Sequence, residues 1–143
     1  YRCLHDANDL TRDQALVDAA QVWANHLATN VCSGKVYDTG DFGENIYLCT
    51  SSTGDNADPC VDAQYIIPNW YDEVTIYNQG DEFSEWTKQF TQMVWKATTS
   101  LGCARSQYCE GQGSYNGYNV MFAVCRYSPK GNIAGQFNDQ VLA

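Results

Sequence analysis

No stretch of this chain approaches the ~20 consecutive apolar residues that a membrane-spanning helix needs. Basic residues are scarce, 8 against 17 acidic ones, and the formal net charge is -9. An acidic surface repels phosphate backbones and anionic lipid, so neither nucleic acid nor simple electrostatic membrane attachment is expected. The plain consequence of that charge is solubility. Only two histidines occur, His5 and His26, and no Cys-x-x-Cys pair. A zinc site built from cysteines and histidines is therefore not expected. There is no Gly-x-Ser-x-Gly elbow, no phosphate-binding Gly-x4-Gly-Lys-Ser/Thr loop and no dinucleotide fingerprint. The chain also lacks an initiator methionine and opens on Tyr1-Arg2-Cys3, which reads as a processed or truncated product.

What is present fits one folded domain spanning 1–143. The 143 residues are 44% hydrophobic and 17% charged, enough to bury a real core. Seven scattered cysteines point to an oxidising compartment, hence secretion. An odd count leaves one thiol free or paired outside the chain. Residues 13 to 29 carry Leu16, Ala19, Ala20, Trp23 and Leu27 at helical steps, with Asp13 placed to cap the start. Residues 30 to 42 read as a loop, and Phe42 to Leu48 as a short extended segment. Ser51 to Asp58 is a polar loop. A second helix is expected from about Pro59 to Tyr77, kinked or restarted at Pro68. A third, short and aromatic, runs from Glu85 to about Thr98. Strands are expected at Leu101 to Tyr108 and Tyr118 to Tyr127, joined by the Gly-rich Glu110 to Gly117, with an irregular tail after Pro129.

Four segments then stand out: Gly43-Glu44-Asn45-Ile46-Tyr47; Trp70-Tyr71-Asp72-Glu73; Phe90-Thr91-Gln92-Met93-Val94-Trp95-Lys96 followed by Leu101-Gly102-Cys103-Ala104; and Cys125-Arg126-Tyr127-Ser128-Pro129-Lys130-Gly131-Asn132-Ile133. Any one can arise by chance. In this order and spacing they resemble the CAP superfamily, the cysteine-rich secretory proteins, antigen 5 allergens and pathogenesis-related class 1 proteins. The resemblance covers nearly the whole chain, with Tyr1-Arg2 as the end of a truncated first-helix motif. It implies an α+β fold: a three-layer α-β-α sandwich with a small antiparallel sheet between helices, stabilised by disulfides. As in the plant members, it pairs Cys32 with Cys109 and Cys103 with Cys125. Cys49 and Cys60 then close a local loop and Cys3 is left over; the alternative is that Cys3 takes one of these partners.

The family places two His and two Glu around a central cleft, where some members bind zinc. The acidic positions are kept as Glu44 and Glu73. The histidine before the Phe-Thr-Gln segment is replaced by Gln89, and the loop from Ser33 to Asp41 contains none. An amide is a weak ligand with no useful proton chemistry near neutral pH. His5 and His26 lie in helical regions and read as structural or surface residues. The expectation is thus a cleft with no metal, no cofactor and no catalysis. Two carboxylates in one pocket would repel, so one should carry a raised pKa or meet a donor such as Gln89 or Gln92. The plainer alternative has Glu44 bonding backbone amides in a tight turn and Glu73 as an exposed helix carboxylate.

The segment Ile76 to Trp86 sits where fungal sterol-exporting members carry a sterol-binding loop. Ile76, Tyr77, Phe83 and Trp86 offer apolar surface to a rigid ring system. Core or scattered surface roles are the alternative, and Asp81, Glu82 and Glu85 would instead suit a calcium or magnesium ion. Some family members hold a fatty acid between two helices, for which the apolar face of residues 13 to 29 is one candidate wall and core packing the other reading. The leading expectation is a secreted, non-enzymatic binder of sterol, fatty acid or another small lipid, monomeric or linked as a dimer through Cys3. The rival is a venom-allergen-like or effector protein that binds an extracellular receptor in host defence or immune modulation.

Overall fold

The structure is a computed structural model, and it describes residues 1–32, 35–37, 40–51, 62–109 and 118–143. The chain enters through a 3-10 turn, Arg2–His5, and a two-residue strand β1 (Thr11–Arg12). Helix α1 follows at Gln14–Asn30. Asp13 caps it as expected, its carboxylate accepting from the N–H of Ala15 at 2.8 Å and Leu16 at 3.3 Å. Strand β2 is Gly43–Ser51, helix α2 Ala63–Tyr71 and helix α3 Lys88–Val94. Strands β3 (Ser100–Arg105) and β4 (Asn119–Ser128) and a four-residue helix α4 (Phe137–Gln140) complete the order.

The sheet runs β1-β3-β4-β2. The three main strands are antiparallel, as the sequence implies, and β1 adds a short parallel edge against β3. Strand β4 lies at the centre and is buried on both faces. Successive side chains of a strand point to opposite faces, and here the alternation divides two cores. Val120, Phe122 and Val124 pack with Ile46 against Ala20, Ala24 and Leu27 of α1. Ala123, Cys125 and Tyr127 pack on the other face with Trp70 of α2 and with Phe90, Val94 and Trp95 in and after α3. The result is the expected α-β-α layering. The apolar face of α1 is consumed by the sheet and serves as core.

Gly102 lets α1 lie directly on β3. A Cβ there would stand 2.2 Å from the Val17 nitrogen and 2.4 Å from the Leu16 carbonyl carbon. The Arg2 guanidinium donates to the carbonyls of Met93, Trp95 and Thr98 at 2.9 to 3.0 Å. It thereby satisfies carbonyls that the end of α3 leaves open. Two disulfides join Cys32 to Cys109 and Cys103 to Cys125, the pairings the resemblance implies. Cys49 is also disulfide-bonded; its expected partner, Cys60, lies outside the described residues. Cys3 is free and exposed.

Several boundaries differ from the sequence reading. Helix α2 runs through Pro68 and tightens into a 3-10 turn at Asp72–Ile76. Proline removes one N–H, and burial of Ile66 and Trp70 on either side of it holds the helix together. Helix α3 is shorter than predicted. Trp95 leaves helical geometry (ψ 113°) to place its fully buried ring in the core. The regular part of β3 ends at Arg105, after which Ser106 and Cys109 still donate to β4 through Phe122 and Val120. The tail is ordered too: Phe137 is fully buried, edge-on to Trp95 at 5.1 Å. The loop Ser51 to Asp58 and the hairpin loop Glu110 to Gly117 fall, apart from Ser51, outside the described residues.

Candidate functional site

The cleft is built where α3 begins, beside the start of β2. Glu73, in the 3-10 turn after α2, accepts the N–H of Gln89 at 2.8 Å and of Phe90 at 3.0 Å. These are donors that the first turn of α3 cannot satisfy internally. Burial raises the Glu73 pKa, while the two backbone N–H groups and the ammonium groups of Lys35 and Lys88 pull against that rise. The compensating donors are therefore main-chain, and neither glutamine side chain supplies them. Gln92 is engaged elsewhere, accepting from Gly131 N at 2.8 Å and donating to Thr98 Oγ1 at 3.3 Å. The absence of side chains at Gly43 and Gly131 leaves room for its amide, which a Cβ at either position would meet within 3 Å.

Glu44 meets Arg126 across the β2–β4 pair, with Nε to Oε2 at 3.4 Å and both side chains more than 90% buried. The guanidinium carbon lies over two rings, 5.2 Å from the centre of Phe42 and 6.0 Å from that of Trp23. Trp23 in turn donates to the Val36 carbonyl at 3.2 Å, which ties the loop before β2 to α1. Glu44 is thus an ion-paired residue, and Glu73 a helix-capping one.

Gln89 donates to the Tyr37 hydroxyl at 2.8 Å and to the Ile46 carbonyl at 3.2 Å. A carbonyl only accepts, so the amide orientation is fixed with Nε2 toward it. Its Oε1 is buried without a partner among the described residues. Tyr37 comes from the very loop in which the resemblance would place a histidine. Its hydroxyl pKa is raised, by burial first, with Glu85, Glu44 and Glu73 adding to the shift and the Gln89 bond opposing it. The Lys88 ammonium stands 3.5 Å from the centre of the Tyr37 ring and 2.6 Å from Glu85. Lys35, Tyr37 and Lys88 belong to none of the four segments that carry the resemblance. Their sequence positions, six and eight residues before Gly43 and next to Gln89, mark proximity to the motifs without fixing which way the side chains face.

Two hollows flank this group. The larger, about 680 Å³, is lined by Glu73, Gln89, Ile76 and Trp86, and the smaller, about 390 Å³, by Glu44, Phe42, Phe83 and Lys130. Both are also lined by Lys35, Tyr37, Glu85 and Lys88. Glu73 thus lines one hollow and Glu44 the other, and Tyr37 lines both. Among the described residues no group of three or more His, Cys, Asp or Glu is placed to hold a metal ion.

The apolar candidates separate. Ile76, Phe83 and Trp86 are 58, 49 and 77% exposed on the rim. Tyr77 is not with them. It is buried against Phe90 at 5.5 Å and its hydroxyl donates to the Asp81 carbonyl, so it anchors the loop from beneath. The acidic residues of that loop do not converge. Asp81 accepts from Asn78, Glu82 from Gly135 N and Glu85 from Lys88. His5 is buried, bonded to the Leu142 carbonyl and the Tyr71 hydroxyl. His26 is exposed and stacks on Trp23.

Among known proteins, the yeast Saccharomyces cerevisiae Protein PRY2 is 37% identical over 145 residues, covering 99% of this chain and 37% of PRY2. Salivary antigen-5 of Dipetalogaster maximus is 36% identical over 129 residues, covering 89% of this chain and 50% of the relative. The chain thus spans half or less of the length of these two relatives. The solved structure of BmVAL-1 superposes with a TM-score of 0.68 at 24% identity, over 93% of this chain and 62% of that one. Residues 1–127 match the family described as CAP, the cysteine-rich secretory protein family, and the chain belongs to it.

Proposed function

We propose that this domain is a secreted, non-catalytic binder of a sterol or another small lipid. The observation that carries the reading is the exposed apolar rim of Ile76, Phe83 and Trp86 around a polar-floored cleft. Large exposed aromatics on a disulfide-stabilised scaffold mark a contact surface, and a rigid ring system loses little entropy on binding them. Secretion is supported by the disulfides, which persist in oxidising compartments.

The described side chains of this cleft do not fit a zinc ion. Gln89 and Tyr37 offer an amide and a neutral phenol, Glu73 and Glu44 are committed to backbone N–H groups and to Arg126, and two ammonium groups line the same walls. Among the described residues the same commitments leave no nucleophile of the cleft paired with a base.

Saturable binding of radiolabelled cholesterol, lost in Trp86→Ala with an unchanged unfolding midpoint, is the expected result. Absence of saturable binding of both cholesterol and palmitate overturns the proposal. The rival reading, docking on an extracellular receptor, is favoured by the same exposed trio. It predicts that Trp86→Ala loses a protein captured from extracellular extract while lipid binding is absent in the parent protein. Exposed Cys3 permits a covalent dimer, which non-reducing electrophoresis reads directly.

A further inference from the structure

Resting on that reading, we infer that the lipid carries an anionic head, a carboxylate or sulfate, seated beside Lys35 and Lys88 at the Tyr37 hydroxyl, with its apolar body on Ile76 and Trp86. The two hollows meet at these polar residues, and Ile76 and Trp86 rim the larger one. A single amphiphile can therefore reach both surfaces.

The charges facing the junction are mostly spoken for. Glu85 holds Lys88 at 2.6 Å, Glu44 pairs with Arg126, and Glu73 accepts two backbone N–H groups. Asp72 also lines the larger hollow, as a rim carboxylate. Among the described residues no carboxylate forms an ion pair with Lys35 or with Lys130, which lines the smaller hollow, although Glu73 acts on Lys35 through space. A chain of net charge -9 thus presents, among the described residues, two ammonium groups without ion-pair partners, Lys35 in both hollows and Lys130 in the smaller. Desolvation by the cleft walls disfavours the charged form of Lys35, and an anionic partner relieves that cost.

The hydroxyl of Tyr37 adds direction. It already accepts from Gln89 Nε2, so its own proton is the one it has to offer outward. A donor beside the ammonium groups of Lys35 and Lys88, the second shared with Glu85, suits an acceptor-only head. A neutral sterol hydroxyl would use one of these groups and leave Lys35 without a counter-charge.

The test compares matched pairs on the intact domain: palmitate against 1-hexadecanol, and cholesterol sulfate against cholesterol. The anionic member of each pair is expected to bind about tenfold tighter or more, the range of a charge-assisted hydrogen bond. That ratio should fall as salt rises. Lys35→Met should bring it close to one, and Lys35→Arg should keep it. Equal binding within both pairs, or a preference that survives Lys35→Met, overturns the inference and leaves the lipid-binding reading standing. Failure of all four probes to bind overturns both. A preference in one pair only identifies which lipid body the rim accepts and upholds the anionic head.

Discussion

The Glu73 carboxylate accepts the backbone N–H of Gln89 at 2.8 Å, so the residue that closes one side of the cleft also starts the helix that floors it. Glu73→Ala should cost about 1 to 2 kcal/mol by leaving two N–H groups of α3 open. Glu73→Gln keeps an acceptor and should cost less. The pH response distinguishes them further. The folded-state pKa is raised, so the folded protein holds this proton more tightly than the unfolded chain. The stabilisation that comes from protonating Glu73 is then fully present below the ordinary glutamate pKa and is lost as pH rises through the raised value, while the two backbone bonds stay. Denaturant unfolding across this window should show Glu73→Gln gaining on the parent as pH rises. A constant difference would refute the assignment.

Glu44 and Arg126 form a buried cross-strand ion pair. Removing one partner leaves a buried charge, and Arg126→Leu or Glu44→Leu alone should cost about 3 to 5 kcal/mol. The double substitution should recover a large part of the loss. A double-mutant cycle measured by guanidinium unfolding gives the coupling directly, and purely additive costs would contradict the pairing.

The two described disulfides differ in reach, 77 residues for Cys32–Cys109 and 22 for Cys103–Cys125. Loop-closure entropy gives about 4.5 and about 3.4 kcal/mol respectively. Replacing Cys32 and Cys109 by alanine should therefore lower stability about 1 kcal/mol more than replacing Cys103 and Cys125. The reverse order, in denaturant unfolding under identical conditions, would show that native packing outweighs chain entropy.

Gly102→Ala drives a methyl into the backbone of α1 at Leu16 and Val17. Backbone cannot swing aside as a flexible side chain does, so a loss of about 2 kcal/mol or more is expected. Gly135→Ala is the informative contrast. Nothing lies within 4 Å of its Cβ, and only its left-handed φ of 79° opposes the change. Thermal unfolding of both variants separates steric contact from backbone conformation.

Local signals made α1 legible: Asp13 and the spacing of Leu16, Ala20 and Leu27 foretold both its cap and its buried face. The layering and the two described disulfides came through the resemblance. What escaped depends on distant contacts. Tyr77 looks like its neighbours Ile76 and Phe83 in sequence, and only Phe90, thirteen positions later, takes it into the core. Phe137 follows a stretch of turn residues, and the fit against Trp95 makes a helix of its surroundings. Lys35 and Tyr37 lie in a loop without periodicity, so nothing local announces the face they turn to the cleft.

Strand β4 belongs to both cores, giving alternate side chains to each layer. Stripping away either layer bares one face of a strand that the other layer still needs. Neither layer keeps a complete core when the other leaves, so the two are expected to unfold together. Damage at α1 and damage at α3 should therefore both register in the global unfolding free energy.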